Sequence, residues 1–387
     1  MVTTNSIYTG LPTTIFETMS RLAREHNAIN LGQGFPDTDG PEDVRRAAAE
    51  ALLSQSNQYP PMLGLPELRQ AVAAANKRFY GIEVDWQSEV LVTSGATEAL
   101  SDCMAALLEP EDEVVVFEPL YDCYVPLIRR AGAVPTFVRL TPPEWRVDAA
   151  ALEAAFSPRT KAVLLNNPLN PAAKVFGDDE LATLARLIVA HDAIAICDEV
   201  YEHIVFAGSH RPLMNYAGMR ERTVRIGSAG KTLSLTGWKV GYATATKALL
   251  DPIAKAHQFT TFTTPPNLQR AVAMGLGKGD DYYRELATTL ETKRNRLAAG
   301  LEGLGYQVAP CQGTYFIVAD ISGKTAETDA EYCKRLTIEA GVTAVPLSAF
   351  YASDPPTSFI RFCFAKRDEV LDEAVIRLAR FHRGAAA

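Results

Sequence analysis

SAGKTLSLTGWK, residues 228–239, and CDEVY, residues 197–201, decide how this chain is read. Lys231 follows three small residues, Ser228, Ala229 and Gly230, just after an apolar run, and Lys239 stands eight positions further on. Asp198 ends a second apolar run, AIAIC. A lysine with little steric cover at a strand end is accessible, and burial or a nearby charge makes it an amine nucleophile. An acid at the end of a buried run is costly unless a partner compensates it. The set suits an aldehyde cofactor that also carries a ring nitrogen and a phosphate. Lys231 would condense with the aldehyde, Asp198 would hold the ring nitrogen protonated, and Ser228 with Lys239 would hold the phosphate.

Outward from this pair, short apolar runs alternate with amphipathic segments from about residue 86 to 245. The runs are EVLVTSG (89–95), EVVVFEP (113–119), AVPTFVRL (133–140), KAVLLNNP (161–168), AIAICDEV (193–200), TVRIGSAG (223–230) and KVGYATA (239–245). Runs without polar alternation predict strands buried on both faces, and the intervening helical patterns predict a mostly parallel seven-stranded sheet. The short link between the last two runs predicts one antiparallel strand. Ser94-Gly95, Glu118-Pro119, Asn166-Asn167, Asp198 and Ser228 all fall at the C-terminal ends of runs, where open α/β sheets bind ligands. After Pro252 the pattern is helical, with a long helix expected near 281–304. YQVAPCQGTYFIVAD, a helix near 329–340, FIRFCFAK and an amphipathic helix to about 383 then predict a smaller α/β domain. The expected division is an N-terminal segment (1–45) packing with the small domain, a large domain (46–285) and a small domain (286–387).

With 38 Lys and Arg against 46 Asp and Glu, the net charge of −8 argues against a nucleic-acid surface. The six cysteines form no C-x-x-C pair, which argues against a zinc ribbon or dithiol centre and fits a reducing compartment. No metal site is expected. The N-terminus lacks the basic-then-apolar pattern of a secretory signal, and no stretch of about 20 apolar residues is present to span a bilayer. A cytoplasmic protein is expected, with no membrane partner.

Each candidate residue also has an ordinary reading. Lysines are mostly solvated surface charges. GKT at 230–232 could belong to a phosphate-binding loop of the G-x-x-x-x-G-K-[ST] type, but Arg225 occupies its first glycine position, and no G-x-G-x-x-G exists either. TSGATEAL (93–100) reads as a strand end, a turn and a helix start. It is either a plain turn or a phosphate cradle made of Gly95, Ala96 and Thr97, with Glu98 favouring the helix dipole. Tyr121 either packs in the core or stacks on a ring. Asn170, in NNPLNP, lies in a turn or donates to a ring oxygen together with Tyr201. Arg361, inside FIRFCFA, either forms a structural ion pair or clamps a carboxylate. An aldehyde cofactor with these needs is pyridoxal 5′-phosphate (PLP).

GQGFPD, NQYPPMLGLPELR, SGATEAL, NPLNP, DEVYEHIVF, SAGKTLSLTGWKVGY and FIRFCF, taken in this order, resemble the class I/II aminotransferases, the fold type I PLP enzymes. The resemblance runs nearly end to end. EPLYDCY, Lys239 in place of the more usual arginine, and IRFCFAK resemble the kynurenine/glutamine and methionine aminotransferase branch. It implies that Lys231 bonds the cofactor and carries the proton, and that Asp198 pairs with its ring nitrogen. It further implies that Asn170 and Tyr201 contact the ring hydroxyl and that Tyr121 stacks on the ring. Gly95, Ala96, Thr97, Ser228 and Lys239 would hold the phosphate, and Tyr59 would reach the phosphate of the partner subunit's cofactor. Arg361, Asn170 and Gly34 would bind the substrate carboxylate. Phe16, Phe262 and Phe350 would line the side-chain pocket, Phe262 from the partner, so a homodimer is implied. Two departures stand out. Thr97 replaces an aromatic found in the kynurenine enzymes, and Ala173 replaces a usual turn glycine.

The implied activity is a ping-pong aminotransferase with methionine, glutamine or aromatic donors and a 2-oxo acid acceptor. Cysteine-conjugate β-elimination and N-succinyl-diaminopimelate transamination are alternatives on the same fold. A PLP-binding regulator without turnover is a further one, which the acidic charge and the early start of the fold disfavour.

Overall fold

The computed structural model describes residues 4–384. A short strand, β1 (Ile29–Asn30), comes first. The seven apolar runs follow as β2 (Val90–Thr93), β3 (Glu113–Glu118), β4 (Val134–Arg139), β5 (Thr160–Asn166), β6 (Ile194–Asp198), β7 (Thr223–Ser228) and β8 (Gly241–Thr244). They form one sheet in the order β2-β8-β7-β6-β5-β3-β4. Both faces are covered. On β5, Val163 and Leu165 pack into one core with the helix Asp178–Ala190. Ala162 and Leu164 pack into another with the helices Ala96–Leu107 and Lys247–Thr260. The pleat thus sorts an unbroken apolar run onto two faces.

The expected antiparallel strand is β8, which runs against both neighbours, β2 and β7. This has a direct consequence for the site. Lys231 follows the C-terminal end of β7, and Lys239 precedes the N-terminal end of β8. Because β8 runs backwards, those two ends share one edge of the sheet. The C-terminal ends of β5 and β6, which run parallel to β7, lie on that edge as well.

The helix Asp280–Gly303 leads to a second sheet. It contains β9 (Gln307–Val308), β10 (Phe316–Asp320), β12 (Val345–Pro346) and β13 (Phe359–Cys363), ordered β12-β13-β10-β9 and antiparallel throughout. The helix expected near 329–340 is α-helical over Asp329–Arg335 and continues as a π turn, Leu336–Ala340, that Gly341 ends at φ 65°. Next to it, β11 (Val342–Thr343) pairs in parallel with β1. The Cys363 N–H donates to Leu31 O at 2.7 Å and the Asp37 N–H to Ala365 O at 3.1 Å. These bonds lay residues 29–37 across the small sheet and bring Gly32 to Arg361 and Gly34 to Tyr315.

Among the described residues, no helix is long and apolar enough to cross a membrane, and all six cysteines are free. Ala173 adopts the left-handed conformation a turn glycine would favour, with φ 58°. Its N–H donates to Leu169 O at 2.8 Å.

Beneath the end of β6, Arg225 on β7 lies in a buried charge network. Its Nε donates to Glu199 Oε2 at 2.7 Å and its NH2 to Glu202 Oε2 at 2.9 Å, and NH1 donates to Asn76 Oδ1. His210 Nε2 is 3.1 Å from Glu199 Oε2. Glu199 and Glu202 bracket Val200–Tyr201, directly after Asp198, so Arg225 anchors both ends of that turn. Removing one partner of a buried pair leaves an uncompensated charge and costs about 3–5 kcal/mol. Arg225→Met is therefore expected to lower unfolding stability by about that amount in urea titration, with partial recovery in Arg225→Met/Glu199→Gln. A loss below about 1 kcal/mol, the range of exposed pairs, would contradict this.

Candidate active site

The strand edge described above opens into a cavity of about 330 Å³. Thirteen residues singled out from the sequence line it: Lys231, Asp198, Tyr201, Gly95, Ala96, Thr97, Tyr121, Asn170, Ser228, Lys239, Gly34, Arg361 and Phe16.

Lys231 lies in the one-turn helix Ala229–Thr232, whose N-cap Ser228 accepts from the Gly230 N–H at 3.2 Å. The lysine Nζ donates to the Tyr315 hydroxyl at 2.8 Å, which donates to Gly34 O at 2.7 Å. Burial pushes its pKa down to about 8, against the pull of Asp198. An amine in this range is a nucleophile close to neutral pH.

Asp198 Oδ2 accepts from the Tyr124 hydroxyl at 2.7 Å, and Oδ1 accepts from the Val200 N–H at 3.4 Å. Asn166 Nδ2 holds the main-chain carbonyl of Asp198 at 2.9 Å. Burial raises the pKa of this carboxyl, and the Tyr124 and Val200 bonds oppose the rise. Among the described residues Asp198 makes no ion pair.

Arg361 sits in the centre of β13, opposite Val318 on β10 and Val345 on β12, fully shielded from solvent. Its NH1 donates to Asn170 Oδ1 at 2.7 Å and its NH2 to Gly32 O at 2.8 Å, while Nε has no partner. Two of its five N–H groups are used, and the rest can hold a carboxylate. Phe316 lies 3.9 Å beneath the guanidinium, with Phe16 and Phe350 each at 5.2 Å. Burial lowers its pKa to about 10, which leaves it charged at neutral pH.

At the other end, Gly95 turns the chain from β2 into the helix Ala96–Leu107 with φ 85°. The first N–H groups of that helix have no intrahelical acceptor and suit an anion. A side chain at Gly95 would meet Lys239 Cε and Nζ at 3.1 Å, so the ammonium lies against the turn.

Phe350, expected on the cavity wall, is not on it, and Tyr59 and Phe262, expected to serve the partner's site, lie outside this cavity. Phe350 is 1% exposed and packs behind it on Phe16, with ring centroids 5.7 Å apart. Tyr59 and Phe262 pair outside it at 5.4 Å, 82% and 38% exposed. Tyr124 and Tyr315 had not been picked out from the sequence. Tyr124 stands three places after Tyr121, a spacing that puts two residues on one helix face and could have flagged it. Tyr315 precedes an apolar strand and carries no comparable signal.

The charges test the cofactor. Lys231, Lys239, Asp198 and Arg361 face one cavity, and none of them has an ion-pair partner among the described residues. Asp198 and Arg361 are buried, and a buried charge without a partner costs several kcal/mol, so their partners are sought in a ligand; Lys239 is exposed and needs none for its own solvation. PLP and an amino acid supply them: a ring nitrogen for Asp198, a phosphate for Lys239 and the helix turn, and a carboxylate for Arg361. The donor set fits.

The comparisons with known proteins agree. Residues 26–378 match the family model described as aminotransferase class I and II. The methionine aminotransferase of Escherichia coli K12 is 42% identical over 369 residues, covering 95% of this chain and 96% of that protein. A probable N-succinyldiaminopimelate aminotransferase of Mycobacterium tuberculosis is 42% identical over 379 residues, with the same coverage of 95% and 96%. The solved structure of an Escherichia coli methionine aminotransferase superposes with a TM-score of 0.95 at 41% identity, covering 98% of this chain and 100% of that one. The chain belongs to the class I and II aminotransferases, and is a fold type I, PLP-dependent transaminase of amino acids and 2-oxo acids.

Proposed function

We propose that the enzyme takes amino groups from methionine, glutamine or aromatic L-amino acids and passes them to a 2-oxo acid in a ping-pong cycle. One observation carries the donor class. Among the described residues the cationic groups on this chain's side of the cavity are Lys231, Lys239 and Arg361, and each has a task for cofactor or α-carboxylate, so this wall offers no cation to an acidic side chain. The aromatic surfaces of Phe16 and Tyr121, 6.5 Å apart, instead favour apolar or neutral donors.

When bound, PLP supplies an aldehyde that bonds amines and a protonated ring that draws electrons from the bonded carbon. Asp198 keeps the ring nitrogen protonated and is oriented by Tyr124. Tyr121 would cover the ring, and Asn170 and Tyr201 would hold its hydroxyl. Gly95, Ala96, Thr97, Ser228 and Lys239 hold the phosphate. Arg361, Asn170 and the Gly34 backbone fix the substrate carboxylate. Lys231 would bond the cofactor and, once free as an amine, would carry the proton from the substrate α-carbon on Nζ. Tyr315 steadies that amine by a direct hydrogen bond.

Residues 46–285 are read as the large domain and 286–387 as the small one, with 1–45 packed on it. The β1–β11 pairing supports that division. A homodimer is part of the same reading. The exposed pair Tyr59 and Phe262, beside Phe259 at 85% exposure, supports it, with Tyr59 and Phe262 lent to the partner's site. A cytoplasmic setting fits the six free thiols.

The donor class is tested by titrating the PLP-loaded protein with single amino acids and following its visible absorption. Methionine, glutamine and phenylalanine are expected to convert it to the pyridoxamine form. Aspartate should be at least about 100-fold less efficient, since an unpaired carboxylate in an apolar pocket costs roughly 3 kcal/mol. A response to dicarboxylic donors alone would overturn the assignment. N-succinyl-diaminopimelate and a cysteine conjugate belong in the same panel, the latter read by pyruvate release.

The lowered pKa of Lys231 gives a pH test. The neutral amine attacks the aldehyde, and its population grows as pH rises through the pKa. The rate of PLP attachment to the stripped protein should therefore rise with a midpoint near 8. A midpoint close to the ordinary lysine value would contradict the burial argument.

A further inference from the structure

Next to the phosphate turn lies a buried acid–base cluster that the chemistry above does not use. His257, on the helix Lys247–Thr260, is fully shielded from solvent. Its Nδ1 is 2.7 Å from Glu98 Oε1 and its Nε2 is 3.1 Å from the Met62 carbonyl oxygen. A carbonyl only accepts. Glu98 also only accepts: burial raises its pKa, but the hydrogen bonds from His257, the Thr261 hydroxyl and the Ser94 N–H outweigh burial, lower it and keep the carboxylate ionised. With an acceptor at each ring nitrogen, both nitrogens carry hydrogen, and the ring is an imidazolium. Burial opposes that charge, but the Glu98 hydrogen bond and the charges of Glu98 and Asp102 outweigh it and raise the His257 pKa.

The position of Glu98 gives this cation its meaning. Glu98 is in the first turn of the helix whose start lines the cavity, next to Ala96 and Thr97. A bare carboxylate there would repel a dianionic phosphate. His257, at the Met62 carbonyl, and the Thr261 hydroxyl, which donates to Glu98, also tie the turn to two loops. One leads from Tyr59 through Met62, and the other is Thr261–Thr264, in which the Phe262 N–H donates to His257 O at 3.0 Å and Thr264 Oγ1 lies 3.1 Å from Ser94 Oγ. Asp102, 3.8 Å from His257 Nδ1, is bonded through Oδ1 to Thr260 at 3.0 Å.

We propose that His257 is a positioning residue for the phosphate end of the cofactor site: it neutralises Glu98 and, through it, fixes the Ser94–Thr97 turn against the loops that carry Tyr59 and Phe262. The proposal rests on the reading that this turn holds the phosphate. It makes no contact with the reacting atoms, and its effect should follow the phosphate alone.

The test compares the affinities of the full-length, cofactor-stripped protein for PLP and for pyridoxal, which lacks the phosphate. The wild type should prefer PLP strongly. His257→Gln should bind PLP about tenfold more weakly, the scale of one charge-assisted hydrogen bond. Its affinity for pyridoxal should stay within about twofold, because the phosphate is absent. Glu98→Gln/His257→Gln, which removes the stranded carboxylate, should regain most of the PLP affinity. Thr261→Val takes one hydrogen bond from Glu98 while leaving His257 in place, and should show a smaller loss confined to PLP. It decides the question if His257→Gln does not fold. Equal losses for both ligands, or no loss in either variant, would overturn the proposal. A wild type that does not distinguish PLP from pyridoxal would instead overturn the phosphate reading, and the proposal with it.

Discussion

Four charged side chains, Lys231, Lys239, Asp198 and Arg361, face one cavity without an ion pair among the described residues, and the architecture around them keeps them there. Solvation cannot compensate Asp198 or Arg361, which are 5% and 0% exposed. Each is held by neutral groups instead: Asp198 by the Tyr124 hydroxyl and the Val200 N–H, Arg361 by the Asn170 amide oxygen and the Gly32 carbonyl. Such bonds fix the geometry of a charge but leave it electrostatically unanswered. A ligand with complementary charges then gains what the fold has left unpaired.

Topology delivers these groups. Parallel strands end on one edge, which accounts for Asn166, Asp198 and Ser228. The reversed strand β8 adds Lys239 to that edge, beside the Gly95 turn. Arg361 comes from the other sheet, and residues 29–37 bridge the gap by pairing with β11 and bonding to β13 and the residues after it. The buried pair Arg225–Glu199, one residue beyond Asp198, shows how an ion pair in this protein looks when it is structural. It is compensated on both sides and faces no cavity of useful size.

Much of this was legible in the chain. Seven apolar runs became seven strands, and the short link before KVGYATA marked the antiparallel one. The buried acid, the small residues around Lys231 and the charge in FIRFCF pointed to the cavity because each breaks a local rule of burial. What escaped was of a different kind. Tyr124 and Tyr315 are ordinary aromatic residues locally, and their roles arise only from contacts 74 and 84 residues away in sequence. The position of Phe350 behind the cavity depends on strand placement that a one-dimensional pattern does not contain. His257 lies in the helical stretch after Pro252 with nothing local to mark it, because its partners lie 159 and 195 positions away.

Asp198 is placed for a ligand at the expense of the fold. The most direct measurement is the thermal unfolding of Asp198→Asn against wild type, each with and without PLP. If the claim holds, the neutral variant stripped of cofactor unfolds at a higher temperature than the stripped wild type, because an unpaired buried charge has gone. PLP should then raise its midpoint much less than it raises that of the wild type. A stripped Asp198→Asn protein that is less stable than the stripped wild type, yet still gains as much from PLP, would show the acid to be structural and contradict the account.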